Sequence, residues 1–176
     1  MTGGDILIAP ENGGMALEIV QSTSAEDLAG IRVLFLEYAE SLGVSLNFQD
    51  FDGEVEGLPG KYAAPAGSLL LAREGDMLAG CGAFRPLAED MCEMKRLYVR
   101  PAFRRRGLGR TLATRLIAEA RAAGYSSMRL DTLPAKLPEA TGLYIRLGFV
   151  EIPAYYENPI PGVAYFELKL NASGSG

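Results

Sequence analysis

At 176 residues and 48% hydrophobic content, the chain has enough material for one well-buried core and too little for two, so a single domain is expected. Its net charge of −5 argues against a nucleic-acid coat, which carries a basic surplus over a whole face. The lack of any histidine removes Ser-His-Asp and Cys-His nucleophilic machinery, histidine-bound metals and the commonest general base, leaving acid–base work to carboxylates, tyrosines, lysines or held water.

Residues 1–14 carry neither a basic n-region nor an apolar h-region, and no run of about 18 apolar residues occurs anywhere. The expectation is a cytoplasmic protein: a flexible segment over 1–14, one domain over 15–170, and a flexible tail over 171–176. Residues 17–21 read as a short strand, and residues 23–26 have the spacing of a capping box opening a helix to about Leu42. The apolar face of that helix is Leu28, Ile31, Leu34, Phe35, Tyr38 and Leu42, recurring at intervals of three and four. A second, acidic helix is expected over 48–58, then a Pro- and Gly-rich turn over 58–67. Residues 68–74 and 77–87 read as a hairpin turning at Gly75-Asp76, and 91–99 as a third strand stopped by Pro101.

The next stretch is the most informative. Arg104, Arg105, Arg106, Gly107, Leu108 and Gly109, followed by Arg110, stand between that strand and a helical pattern over 110–123 with Leu112, Leu116, Ile117 and Ala120 on one face and Gly124 as its stop. Glycines at a helix mouth let backbone approach a ligand, and first-turn amides without intrahelical partners make an anion cradle that the helix dipole and the arginines reinforce. A strand over 128–132, a helix from Pro138 to about Leu147 and two last strands over 149–152 and 163–170 complete the order. Cys81 and Cys92 lack a CxxC spacing and read as strand residues, and no metal site is expected. A dinucleotide fingerprint competes for the cradle, because Gly107-x-Gly109 opens a helix and Asp131 follows about 20 residues on. Its third glycine is Leu112, and the motif lies in mid-chain, so that reading ranks lower.

Arg104-x-x-Gly107-x-Gly109 after a strand, the order of elements over 17–170, and Ala140-x-x-x-Tyr144-x-x-x-Gly148-Phe149 together resemble the GCN5-related N-acetyltransferase (GNAT) family. The resemblance implies a mixed α/β (α+β) fold: a splayed, mostly antiparallel central sheet of about six to seven strands with helices on both faces. It implies acetyl-CoA as co-substrate, with residues 94–99, among them Leu97, Tyr98 and Val99, along the pantetheine arm. Arg104, Arg105, Arg106, Gly107, Leu108, Gly109 and Arg110 would then cradle the pyrophosphate.

The resemblance also implies catalytic residues. Glu93 lies fourteen residues before Gly107, where histone-type members carry a catalytic glutamate, and is the expected general base; a strand carboxylate paired with Lys95 or an arginine is the alternative. Tyr144 is the expected general acid toward the CoA thiolate, against a plain core tyrosine. Leu137 stands where many members have asparagine. The expected reaction is direct attack of a primary amine on the thioester in a ternary complex, with the Leu97 N–H polarising the carbonyl. Phe48, Tyr155, Tyr156 and Asn158, with the acidic run over 50–56, are expected to flank a small-molecule or amino-acid-like amine. A protein or peptide amine, and a non-catalytic acyl-CoA-binding module, are the alternatives. Neither nucleic acid nor membrane is expected as a partner; a homodimer is left open.

Overall fold

The computed structural model describes residues 5–9 and 14–171. Its strands are β1 (Ile6–Ile8), β2 (Leu17–Gln21), β3 (Ser68–Glu74), β4 (Met77–Ala88), β5 (Met91–Val99), β6 (Ser127–Thr132), β7 (Val150–Ile152) and β8 (Ala164–Lys169). They form one eight-stranded sheet in the order β1-β2-β3-β4-β5-β6-β8-β7. Every neighbouring pair is antiparallel except β5 with β6. The strand beyond the expected six or seven is β1, inside the segment expected to be flexible. Ile6, Leu7 and Ile8 pair there with Ile19, Glu18 and Leu17, and Ile6 and Ile8 pack on the core while Leu7 faces out. The tail expected over 171–176 lies, apart from Asn171, outside the described residues.

The helices are α1 (Ala25–Leu42), α2 (Phe51–Glu56), α3 (Leu108–Ala122) and α4 (Pro138–Arg146). Ser24 caps α1 by accepting from the Asp27 amide at 3.0 Å, one residue later than the expected capping box. The single helix expected over 48–58 is two pieces, a 3-10 turn (Asn47–Gln49) and α2, because Asp50 between them adopts a left-handed φ of +53°. Aspartate tolerates that region better than most residues. One apolar cluster joins α3 and α4 to one side of the sheet through Leu112, Leu116, Leu143 and Tyr144, and the other joins α1 and α2 to the opposite side through Ile31, Phe35, Phe51 and Val55.

Two irregularities of β5 set up the site. Alternation along the strand slips at Arg96, whose φ is +61°. Cys92 and Met94 lie in the α3-side cluster and Leu97 and Val99 pack on that same cluster, so Lys95 and Arg96 both emerge on the α1 side. Such a φ costs a non-glycine residue about 1 kcal/mol or more, and the guanidinium that Arg96 buries under Tyr38 and Phe51 holds it there. The second irregularity is the seam with β6. Only Met91–Glu93 pair with Ser127–Arg129, after which β6 follows β8 to Thr132 while β5 stays with β4. The sheet splits into a wedge between residues 94–99 and 130–132.

Candidate active site

The wedge holds a small cavity bordered by Met94, Lys95, Arg96 and Leu97 of β5, Asp131 and Thr132 of β6, Tyr38 of α1, Tyr144 of α4, and Leu137. A second small cavity shares Tyr38, Arg96, Asp131, Thr132 and Leu137 with the first. It extends past Gln49, Leu42, Leu46 and Leu133 to Asn158, Ile160 and Val163.

At the far end of β5 the chain turns through residues 104–107 into α3. Arg105 and Gly107 are both left-handed, at φ +64° and +75°, and Gly107 is the N-cap of the helix. None of the amides of residues 105–110 donates to an acceptor among the described residues; Thr111 N–H is the first to do so, to Gly107 O at 3.0 Å. Alternating handedness of this kind makes a concave run of N–H groups that binds anions, and the helix N-terminus adds to it. Four arginines surround the run and divide into two kinds. Arg104 Nε is tied to Val99 O at 3.0 Å, and Arg106 to Glu74 at 2.9 Å with its guanidinium over Phe103. The side chains of Arg105 and Arg110 have no partner among the described residues. Leu108 is buried and anchors the turn, and a Cβ on Gly109 would meet Val99 and Leu143 at 3.7 and 3.8 Å, ordinary contact. Within the protein, then, nothing requires glycine at 109.

Tyr144 borders the wedge cavity with its ring edge-on to Phe149, centroids 5.7 Å apart. Burial pushes its phenol well above the ordinary value, so it is a proton donor and not a phenolate. Its hydroxyl has no hydrogen-bond partner among the described residues.

Glu93 lies elsewhere. It is buried and borders neither cavity. Its Oε1 accepts from Arg85 at 3.2 Å and lies 4.0 Å from Lys95 Nζ, while Oε2 accepts from the Tyr155 hydroxyl at 2.5 Å. Both oxygens have partners within the protein, the surroundings of an ion-paired strand carboxylate.

The residues expected around the acceptor separate. Phe48 is on the surface and borders neither cavity. Of the acidic run, Asp50, Asp52 and Glu56 point to solvent, and Glu54 is bound bidentately by Arg96, its nearer contact at 2.9 Å. Tyr155 serves Glu93; Tyr156 donates to Asp131; and Asn158 borders the second cavity and donates to Asp131 at 3.2 Å. Tyr155 and Tyr156 pack edge to face on Tyr165 and tilted on each other, at centroid distances of 5.3 to 5.7 Å, which stiffens this loop. Tyr38, Gln49, Asp131 and Thr132 border these cavities without being expected there from the sequence, whereas Lys95 and Arg96 fall within the expected span 94–99. Asp131 was visible only as the acidic partner of the competing dinucleotide fingerprint.

Comparison with known proteins agrees with this geometry. The chain matches the Acetyltransferase (GNAT) family over residues 32–149, more than half its length. It is 43% identical to an uncharacterized N-acetyltransferase of Schizosaccharomyces pombe, over 83% of this chain and 90% of that one. It is 32% identical to an uncharacterized N-acetyltransferase of Escherichia coli (strain K12), over 82% and 86% respectively. In fold it is similar to a GNAT-family acetyltransferase of Staphylococcus aureus Mu50, with TM-score 0.74 at 18% identity over 88% of this chain and 99% of that one. It is also similar to an acetyltransferase of Salmonella typhimurium solved with its cofactor acetyl-CoA, with TM-score 0.62 at 21% identity over 90% and 96%. A split sheet ending in a run of free amides, together with these relationships, places the chain in the GNAT family of acetyltransferases.

Proposed function

We propose that this enzyme moves the acetyl group of acetyl-CoA to the primary amine of a small-molecule or amino-acid-like acceptor, by direct attack in a ternary complex. The observation that carries the reading is the continuity of the wedge. One strand, β5, borders both cavities through Arg96 and leads, beyond its end at Val99, to the free amides of residues 105–110.

The donor end fits coenzyme A. Its pyrophosphate needs several backbone donors and peripheral cations, which the amides of 105–110 and the side chains of Arg105 and Arg110 supply. Acetyl-CoA brings a thioester, whose carbonyl carbon accepts a neutral amine. Around it, the edge of β5 beyond Glu93 offers backbone without a β6 partner, and we assign the Leu97 N–H to the carbonyl oxygen. Tyr144 donates to the sulfur as it leaves. Glu93 holds Arg85, Lys95 and Tyr155 in place and acts as a positioning residue. An acyl-cysteine route is disfavoured: Cys92 is buried, with its thiol pushed up to about 12 by that burial.

The acceptor end is short and mixed, with Leu42, Leu46, Leu133, Ile160 and Val163 beside Gln49 and Asn158. That lining supports a small acceptor with an apolar body. CoA release measured against a panel of small amines, amino acids and peptides tests the reading. Turnover of small primary amines is expected, and activity confined to protein N-termini or lysines would overturn the acceptor class.

A further inference from the structure

Asp131 borders both cavities, at the point where they meet. It lies on β6 opposite Tyr165 of β8. Its Oδ2 accepts from the Tyr156 hydroxyl and from Asn158 Nδ2 at 3.2 Å, both neutral donors. Among the described residues no lysine or arginine pairs with it and no group donates to its Oδ1. The other carboxylates of this face are spent: Glu93 on Arg85, Glu54 on Arg96 at 2.9 Å and, more loosely, on Arg85 at 3.8 Å. A half-buried carboxylate bordering both cavities with one oxygen free is a site for a cation, since its charge has no partner among the described residues.

A primary amine is an ammonium near pH 7 and must lose a proton before it can attack. We infer that Asp131 receives the acceptor's ammonium at Oδ1 and takes its proton, which makes it the catalytic base of the proposed reaction and rests on that reading. The first proton passes from nitrogen to Oδ1 and then to solvent through the cavity mouth; the freed electron pair forms the new C–N bond, the C–S bond breaks as Tyr144 protonates the sulfur, and the second proton shed by the nitrogen restores the Tyr144 phenol. Tyr156 and Asn158 are the positioning residues, because they hold Oδ2 and so fix the carboxylate. The same cavity brings Asp131 together with Leu97 and Tyr144.

Titratable groups face Asp131 from every side. Tyr38 comes from α1, Lys95 and Arg96 from β5, Tyr144 from α4, Tyr155 and Tyr156 from the loop, and Tyr165 from β8. Burial raises all five phenols, Tyr38 to about 12, so they stay neutral in the working range. The charged groups that remain are Arg96, paired with Glu54, and Lys95 beside Glu93, whose ammonium burial holds below its ordinary value.

The test is the Asp131→Asn variant. Acetyl-CoA affinity is expected to stay within about twofold while kcat/KM for the amine near pH 7 falls by roughly 100-fold or more, the scale of general-base catalysis. The deficit should shrink as pH passes the acceptor's own pKa, where free amine needs no base. Tyr156→Phe, which keeps the ring and removes one donor, should show a smaller loss of the same shape. A second arm needs no turnover: thermal shifts of the CoA-saturated protein with a primary ammonium and with the alcohol of the same shape. Wild type should prefer the ammonium, and D131N should not. A deficit equal at every pH, or an ammonium preference intact in D131N, overturns the inference. Wild type that acetylates no amine overturns the proposed function instead, and the thermal-shift arm still decides the role of Asp131.

Discussion

Arg105 and Gly107 hold left-handed backbone on either side of Arg106, at φ +64° and +75°. That alternation turns a sequence of arginines and glycines into a row of inward amides. Gly107→Ala places a Cβ in a conformation that disfavours it by roughly 1 kcal/mol, although nothing lies within 4 Å of where the Cβ would be. Urea denaturation should show that loss, and calorimetry a weaker acetyl-CoA affinity.

Gly109→Ala separates fold from ligand. The added methyl makes only ordinary contacts, and alanine is the better helix former by up to about 1 kcal/mol. Stability should hold or rise, while the acetyl-CoA dissociation constant rises by at least about tenfold, because the methyl takes the space the ligand needs. Wild-type affinity in this variant would place the ligand elsewhere.

Tyr144→Phe removes a hydroxyl with no partner among the described residues, so none of them is orphaned and the packing on Phe149 survives. The melting temperature should move by no more than about 1 °C, whereas kcat falls roughly 100-fold with acetyl-CoA affinity unchanged. Because burial raises this phenol, the wild-type rate should show no alkaline fall from its ionisation below about pH 10.

Glu93→Gln strands Lys95 and Arg85 and should cost about 3 kcal/mol, since breaking a buried pair leaves charge uncompensated. Burial, with Arg96 acting the same way and Glu93 opposing, holds the Lys95 ammonium below the lysine value of 10.5. Between its folded value and 10.5 the unfolded chain binds more protons, so stability attributable to Lys95 rises with pH there. Denaturation in urea from neutral to alkaline pH should show that rise, widened downward in E93Q and absent in Lys95→Met.

Most elements were legible because their signals are local. Leu112, Leu116 and Ile117 mark α3 by spacing, and the two-residue turn Gly75-Asp76 marks the β3–β4 hairpin. The slip at Arg96 was hidden, because an alternating strand does not announce where its parity shifts and arginine is not a residue that signals positive φ. Arg105 was hidden for the same reason. Glu93 was found by its distance from Gly107, but its surroundings are set by Tyr155, 62 residues away, and by Arg85 on the neighbouring strand. The surroundings of Asp131 were hidden because its partners, Tyr156 and Asn158, arrive from a loop 25 and 27 residues on. Phe48 was expected at the acceptor from the family's topology; it lies on the surface, on the 3-10 turn that the left-handed Asp50 separates from α2.

The central claim is direct transfer within one wedge that holds both substrates at once. Initial rates of CoA release, measured while acetyl-CoA and a turned-over amine are each varied, test it most directly. Intersecting double-reciprocal lines are predicted, as a ternary complex requires; parallel lines, the mark of an acetylated enzyme, would contradict it.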